Sequence, residues 1–224
     1  MLRLKRFNFF NMAKTGVLFD LDGVLIDSER LYSGFYDNLG ELYNIEEENF
    51  SMAIKGSTIE QILSKYFPSP EASADVLRRI NEFEANMEYP ICEGVIEFLS
   101  ELKSRDIPAA IVTSSSDNKM VKLWNQHPGL KAYFDTIVTG GDITRSKPDP
   151  EGYLLAAKRV GCNPEDCYVF EDSISGLAAG MAAGCTVIGL ATTLPAERLK
   201  GKAHILVDGF AGFSVDDMIA VKRH

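Results

Sequence analysis

The stretch GVLFDLDGVLIDSE, residues 16–29, carries an apolar run directly into two acidic residues. Residues 16–19 are apolar, Asp20 follows them, and Asp22 stands two positions later with Gly23 behind it. A short continuous apolar run is typical of a strand buried on both faces. Two carboxylates that ended such a strand without partners would be costly to bury. The pattern therefore predicts a strand that delivers a functional acidic pair to the edge of a sheet.

Five more apolar runs follow from about residue 90 onward, and helical patterns separate them. They span residues 108–113, 135–139, 166–171, 185–190 and 204–207. Continuous rather than alternating hydrophobicity is typical of a parallel sheet covered by helices. One intervening helix has its own signals: Asp149 as a cap, Pro150 at its first position and Gly161 after its end. The sequence predicts an α/β fold, a doubly wound parallel Rossmann-like sheet of about six strands.

Residues 28–88 interrupt this sheet with helical periodicity and no strand run. The apolar stripes are Leu31, Phe35 and Leu39; Ile59, Ile62 and Leu63; and Val76, Ile80, Phe83 and Met87. Ser57 and Glu60 have the spacing of a capping box, and Pro68 and Pro70 separate the last two helices. We expect an N-terminal extension at 1–14, a Rossmann-like core at 15–27 and 89–224, and an inserted all-helical cap domain at 28–88.

Composition excludes several classes of protein. The chain is 46% hydrophobic and 25% charged, with a net charge of −9, which argues against a nucleic-acid partner. No apolar run approaches the roughly 20 residues of a membrane helix. Asn8 and Asn11 break the apolar N-terminal stretch, where Met1 and Met12 are both candidate start positions. The four cysteines have no paired spacing, so we expect reduced thiols in a cytoplasmic protein. We also expect a monomer or weak dimer.

Chemically reactive side chains follow four of the predicted strands. They are Asp20 and Asp22 after the first, Thr113 and Ser114 after the second, Lys147 in the loop after the third, and Glu171 and Asp172 after the fourth. Ligands of open parallel sheets bind beyond the carboxyl ends of the strands. The set suits phosphoryl transfer from a small phosphorylated metabolite through a covalent aspartyl phosphate.

Each group has a task in such a transfer. Three converging acids, Asp20, Glu171 and Asp172, would bind a hard cation such as Mg²⁺ through oxygen ligands. The Lys147 ammonium and the Thr113 hydroxyl, with backbone amides near Ser114, would hold the phosphate oxygens. The second acid of the opening stretch is placed to move protons to and from the reacting oxygens.

The motifs DLDGV, IVTSS, SKPDP and VFEDSISGLAAGMAAG, in this order, strongly resemble those of the haloacid dehalogenase-like hydrolase superfamily, in the subgroup with a helical cap. The resemblance implies that Asp20 is the nucleophile, Asp22 the general acid and base, and Lys147 the charge stabiliser, with Thr113 a phosphate ligand. It also implies a Mg²⁺ site made by the nucleophile carboxylate, the main-chain carbonyl of Asp22, and the acids Glu171 and Asp172.

Some residues have a structural interpretation beside the functional one. Glu171 is either a metal ligand, an outer acid or a partner of Lys147. Tyr32 and Tyr36 fit either the interior or a substrate contact. The small residues of SISGLAAGMAAG are interpreted as scaffold that lets a helix pack close to the sheet. His127 and His204 have no second histidine or cysteine at ligand spacing, so we assign no zinc site. We expect Trp124 in the core.

The identity of the reaction depends on a few positions. Dehalogenases of the superfamily lack an acid at the position of Asp22, and phosphonoacetaldehyde hydrolases differ after the nucleophile. β-Phosphoglucomutases have a similar cap with a KGxxR stretch; here Lys55 and Gly56 match, as substrate-binding candidates, but Ile59 replaces the arginine. Tyr32 stands where those mutases have histidine. The sequence therefore predicts a phosphatase acting on a sugar or polyol phosphate, with a β-phosphoglucomutase-type mutase as the alternative and a non-catalytic phosphate-binding protein as a third hypothesis.

Overall fold

A computed structural model describes residues 14–54, 59–115 and 117–221. In it, six strands form one parallel sheet in the order β3-β2-β1-β4-β5-β6. The strands are β1 (Gly16–Phe19), β2 (Ala109–Val112), β3 (Thr136–Val138), β4 (Cys167–Glu171), β5 (Thr186–Leu190) and β6 (Ile205–Val207). Every predicted run contains one of them. Because β1 lies in the middle and the chain winds outward on both sides, the predicted doubly wound α/β sheet is confirmed.

Ten α-helices surround or extend this sheet within the described residues. They are α1 (Glu29–Leu42), α2 (Phe50–Ala53), α3 (Ile59–Tyr66), α4 (Pro70–Asn86), α5 (Val95–Ser104), α6 (Asp117–Gln126), α7 (Glu151–Val160), α8 (Ile174–Ala182), α9 (Ala196–Leu199) and α10 (Val215–Ile219). No helix in the described ranges is long and apolar enough to cross a membrane. All four cysteines lie in the described part of the chain, and none of them forms a disulfide.

The sheet is buried on both faces, as the continuous apolar runs predicted. Along β1, Val17 and Phe19 point into one apolar cluster, whereas Leu18 points into the other. The Phe19 ring stacks on Phe170 of β4 with centroids 5.2 Å apart. Phe98 of α5 packs edge-on against Phe19 at 6.2 Å. This double burial fixes the direction of β1 and therefore the place where its acidic end emerges.

Helices α1 to α4 lie between residues 29 and 86 and have an apolar cluster of their own. Seven buried side chains form it: Leu39, Phe50, Ile54, Ile62, Phe67, Val76 and Ile80. Ser69 caps α4, with its hydroxyl accepting the Ala72 N–H at 3.1 Å, and Pro70 is the first helical residue. The predicted capping box begins at Ser57, outside the described residues. The cap boundary at 28–88 stays a prediction.

The start of α7 differs by one residue from the sequence pattern. The helix begins at Glu151, so Pro150 rather than Asp149 occupies the cap position. The Asp149 carboxylate still accepts the Glu151 N–H at 3.0 Å. At the other end, Gly161 adopts a left-handed φ of 73°. The predicted end signal is confirmed, and the start moves because Asp149 makes the capping contact from outside the helix.

Candidate active site

The sheet order places the acidic strand ends side by side. β1 pairs with β2 on one side and β4 on the other, so Asp20, Thr113 and Asp172 follow three adjacent strands. The Asp20 N–H donates to the carbonyl of Phe170 at 3.0 Å, which anchors the acid just beyond the strand. The residues at these three strand ends are thereby brought to one edge of the sheet.

Three carboxylates converge at this edge. Oxygens of Asp20, Glu171 and Asp172 lie within 4.8 Å of one another. The Lys147 ammonium reaches the cluster from the loop between β3 and α7. It donates to Asp20 Oδ1, to Glu171 Oε1 at 2.6 Å and to the carbonyl of Val112 at 3.2 Å. Only 13% of the side chains of Lys147 and Asp20 is exposed. The structure thus encloses three carboxyl groups and one lysine ammonium group.

Glu171 is fully buried and is held from both sides. Its Oε1 accepts from Lys147 and from the Tyr153 hydroxyl at 2.9 Å. Its Oε2 accepts the N–H groups of Asp172 at 3.1 Å and Ser173 at 3.0 Å, and the Ser173 hydroxyl at 3.0 Å. Glu171 therefore belongs to the acidic group, and it is the partner of Lys147. Its role as a metal ligand stays a prediction.

Ser173 was expected to be scaffold, and it has a further contact with the site. Its hydroxyl caps α8 by accepting the Gly176 N–H at 3.0 Å while it donates to Glu171. A Cβ atom at Gly176 would lie 1.7 Å from Glu171 Oε1, so this glycine lets the helix approach the acid. Gly180 likewise brings α8 against Val169 and Val187, as expected for close packing on the sheet.

The protonation of the acids reflects their enclosure. Burial raises the pKa of Asp20 to about 7, although the Lys147 ammonium opposes the rise. Burial, and then the charges of Asp20 and Glu171, raise the pKa of Asp172 well above its ordinary value. Like charges this close repel, and one ammonium offsets only one of them. Hard oxygen donors with excess negative charge fit a divalent cation such as Mg²⁺.

Gly23 closes the turn that brings the opening stretch against these acids. Its φ is +75°, in the left-handed region. A Cβ atom here would lie 2.0 Å from Asp172 Oδ2 and 2.5 Å from Thr193 Oγ1. The backbone can approach the acid this closely only because residue 23 lacks a side chain.

Asp22 has a separate set of partners. Its Oδ1 accepts from the Ser28 hydroxyl and from Lys119 Nζ at 2.5 Å, and its Oδ2 accepts from the Ser115 hydroxyl at 2.9 Å. Burial alone would raise the pKa of Asp22, but the Lys119 ammonium and the two hydroxyls outweigh it and hold the pKa below its ordinary value. The Asp22 side chain is therefore outside the acidic cluster; a metal contact through its main-chain carbonyl stays a prediction.

Sequence reasoning missed Lys119, Ser115, Ser28 and Tyr153. One signal was available for the lysine, which lies in the first turn of the helix that follows β2. That position puts its side chain near the carboxyl edge of the sheet. Tyr153 lies in the first turn of α7, but nothing in its spacing indicates that its hydroxyl would meet a buried acid.

The phosphate-binding candidates differ in their burial and in their hydrogen bonds. Thr113 is 3% exposed, and its Oγ1 accepts the Ser115 N–H at 3.0 Å. Ser114 is exposed and makes no side-chain hydrogen bond to another described residue. Lys55 and Gly56 lie outside the described residues. Ile59 packs against the apolar cluster of the helical insert.

Other side chains have structural roles in the described part of the chain. His127 Nε2 lies 2.7 Å from the Tyr89 carbonyl, and His204 Nδ1 accepts the Val187 N–H at 2.9 Å. Trp124 packs against the sheet cluster. A cavity of about 820 Å³ lies between α1 and α4, and none of the predicted catalytic side chains lines it.

Comparison with known proteins identifies the family. The profile of the haloacid dehalogenase-like hydrolases matches residues 17–190. Hexitol phosphatase A of Escherichia coli is 34% identical over 194 residues, which cover 84% of this chain and 88% of that protein. A HAD hydrolase of family IA, variant 3, from Entamoeba histolytica superposes with a TM-score of 0.79 at 27% identity, covering 92% and 98% of the two chains.

A second solved structure, a candidate β-phosphoglucomutase from Thermotoga maritima, is also similar. It gives a TM-score of 0.70 at 32% identity, over 86% of this chain and 94% of that one. The profile match spans more than half of the chain, and its limits include β1, β2 and β4 with the acids that follow them. The chain belongs to the haloacid dehalogenase-like hydrolase family.

Proposed function

We propose that the protein is a Mg²⁺-dependent phosphatase that hydrolyses small phosphate monoesters of sugars or polyols through an aspartyl-phosphate intermediate. One observation carries the proposal: two carboxylates two residues apart, Asp20 and Asp22, have opposite environments. The first lies among acids and Lys147 with a raised pKa, and the second is hydrogen-bonded to Lys119 with a lowered pKa. Acids with separated environments are suited to different steps of one reaction. Similarity to hexitol phosphatase A supports the substrate class.

In the first half of the reaction, Asp20 attacks phosphorus. A bond forms between a carboxylate oxygen and phosphorus, the bond to the alcohol oxygen breaks, and Asp22 gives that oxygen a proton. Lys147 offsets the negative charge that gathers on the phosphoryl oxygens, and the Thr113 hydroxyl is placed to donate to one of them. Mg²⁺ held by Asp20, Glu171 and Asp172 would supply the charge neutralisation that lets a carboxylate approach a phosphate.

In the second half, water releases the phosphate. Asp22 takes a proton from the water, which attacks phosphorus, and the Asp20 carboxylate leaves. The proton that Asp22 gives up in the first half is regained here, so the cycle balances. Lys119, Ser28 and Ser115 fix the Asp22 carboxylate and favour its ionised form, the form that accepts a proton.

Asp20→Asn tests the proposal directly. It should abolish Mg²⁺-dependent phosphate release from p-nitrophenyl phosphate, because an amide does not form the acyl phosphate. Asp22→Asn should lower kcat by roughly 10²- to 10⁴-fold. Asp106→Asn is the matched control, since this aspartate is exposed and has a left-handed backbone that asparagine also adopts. Wild-type turnover in the Asp20 variant would remove the nucleophile from the mechanism.

The mutase alternative is kept because of the similarity to the candidate β-phosphoglucomutase. Incubation with β-glucose 1-phosphate and its bisphosphate activator distinguishes the two reactions. A phosphatase releases inorganic phosphate, whereas a mutase accumulates glucose 6-phosphate. We expect phosphate release, because Ile59 supplies no cation for the second phosphate of the sugar.

A further inference from the structure

Side chains of the helical insert, and of the segment that follows it, lie close to the lysine that binds the Asp22 carboxylate. Lys119, which donates to Asp22, lies with its Nζ 5.3 Å from the ring centroid of Tyr32 and 5.8 Å from that of Tyr89. Tyr32 is on α1, and Tyr89 follows α4. A general acid must touch the leaving oxygen of its substrate. The alcohol part of a bound ester therefore lies beside these rings.

Tyr32 is fixed in this position by several contacts. Its hydroxyl donates to Glu84 Oε1 at 2.9 Å. Its ring packs edge-on against Phe83 with centroids 5.4 Å apart and lies parallel to Tyr36 at 6.4 Å. Burial, followed by the charge of Glu84, raises the pKa of Tyr32, so the hydroxyl keeps its proton at neutral pH. The ring and its hydroxyl form a rigid surface that has both apolar and polar atoms.

Glu84 brings a negative charge to this surface. It is half-buried, and among the described residues no lysine or arginine forms a salt bridge with it. Its influence extends to Tyr36, whose pKa is raised by burial and then by the charge of Glu84. Only Oε1 of this carboxylate receives a side-chain donor in the described structure, and Oε2 is left as an acceptor.

These contacts define the chemistry of the space beside Asp22. A carboxylate with a spare acceptor oxygen binds hydroxyl donors well, since hydrogen bonds to charged groups are the stronger ones. The same charge repels a second phosphate or a carboxylate on the substrate. The tyrosine rings offer apolar faces to the carbon chain of a polyol.

We propose that Tyr32 and Glu84 form the wall of the leaving-group site and select phosphate esters of uncharged polyhydroxylated alcohols over esters that carry a second anionic group. The inference rests on the proposed phosphatase function and deepens it, because it assigns the choice of alcohol to two residues. It also gives a physical reason for hydrolysis of monophosphates rather than transfer between the two ends of a bisphosphate.

The test measures kcat/KM of the full chain with Mg²⁺ on a hexitol 6-phosphate, phenyl phosphate and a hexose bisphosphate. Phenyl phosphate has the same charge as the hexitol ester but no hydroxyl groups. The variants are Glu84→Gln, Glu84→Lys and Tyr32→Phe. Glu82→Gln is the matched control, because Glu82 is on the same helix, is exposed, and pairs with Arg78.

For Glu84→Gln we expect kcat/KM on the hexitol ester to fall by about 10-fold or more, with phenyl phosphate changed by less than about 3-fold. Tyr32→Phe should show the same pattern more weakly. Glu84→Lys should raise kcat/KM for the bisphosphate, and the control should leave all ratios unchanged.

Two results overturn the inference, and they are distinguishable. If the wild-type protein hydrolyses none of these esters, the proposed function fails and the inference fails with it. If the wild-type protein is active but Glu84→Gln and Tyr32→Phe lower activity equally on hexitol and phenyl phosphate, the phosphatase function stands and the selective wall does not.

Discussion

Replacing Gly23 with alanine isolates the close approach of the opening stretch to Asp172, one of the three clustered acids. Gly23 and Gly161 have almost the same backbone, with φ of +75° and +73°. A Cβ atom at Gly161 meets nothing within 4 Å, whereas one at Gly23 would lie 2.0 Å from Asp172 Oδ2. Gly161→Ala therefore measures the backbone cost alone, and Gly23→Ala measures the same cost plus the displacement of Asp172.

The two costs can be estimated separately. A left-handed alanine costs about 1–2 kcal/mol relative to glycine, so Gly161→Ala should lower the free energy of unfolding by about that amount. This corresponds to a fall in Tm of about 2–4 °C per kcal/mol for a chain of this size. At Gly23, the carboxylate must also move by about 1.4 Å, from 2.0 Å to an ordinary contact distance of 3.4 Å. A displacement of that size in a catalytic group costs about 10²-fold in rate.

We therefore expect Gly23→Ala to lower kcat by about 100-fold or more and to weaken Mg²⁺ activation, and Gly161→Ala to lose stability but keep wild-type kcat. Phosphate release at saturating substrate and thermal unfolding of both variants give the two readouts. If Gly23→Ala kept kcat within about 3-fold of wild type while losing only as much stability as Gly161→Ala, the close contact between residue 23 and Asp172 would have no catalytic importance.

Three further outcomes are expected. Lys119→Met should lower kcat/KM by about 10-fold, because Asp22 loses one charge-assisted hydrogen bond. In an Asp22→Asn background the same change should have no added effect. Additive losses in kinetic assays would show that Lys119 does not act through Asp22. Mg²⁺ affinity should fall as pH drops below about 7, because the pKa of Asp20 is raised to about 7 and metal binding then displaces a proton. Calorimetry in two buffers with different ionisation enthalpies counts that proton. An affinity that does not depend on pH would contradict this prediction. Tyr153→Phe should lower the free energy of unfolding in urea by about 1–3 kcal/mol, because it removes a hydrogen-bond donor to a buried acid. Tyr133→Phe, at an exposed hydroxyl pair, should lower it by less. Equal losses would refute the burial argument.

The strands could be predicted from the sequence because burial on both faces leaves a local mark. Each continuous apolar run contains a strand, and the acids after β1 and β4 were identifiable because they end such runs. The same local logic put the break between the last two helices of the insert at Pro68 and Pro70, and it identified Gly161 at the end of α7. The start of α7 shifted from the pattern because a side chain can cap a helix from one residue outside it.

The partners of the site residues could not be predicted in the same way. Lys119 is 97 positions from Asp22, and Tyr153 is 18 positions from Glu171. Lys119 meets Asp22 because β2 lies next to β1 and the helix after β2 begins at the same edge of the sheet. Tyr153 meets Glu171 because α7, which follows β3, begins close to the end of β4. Spacing within one strand or helix has no information about such meetings.

The sequence by itself determined the doubly wound sheet, the helical segment that interrupts it and the acidic strand ends, since hydrophobic period and turn residues act within a few positions. The tertiary structure decided how those acids differ: Asp20 lies in a crowded acidic cluster with a raised pKa, and Asp22 lies against a lysine with a lowered one. It also decided that the Tyr32 ring lies beside that lysine and that the Tyr32 hydroxyl donates to Glu84. The physical reason is that a pKa depends on burial and on charges a few ångströms away, and only the folded chain sets those distances.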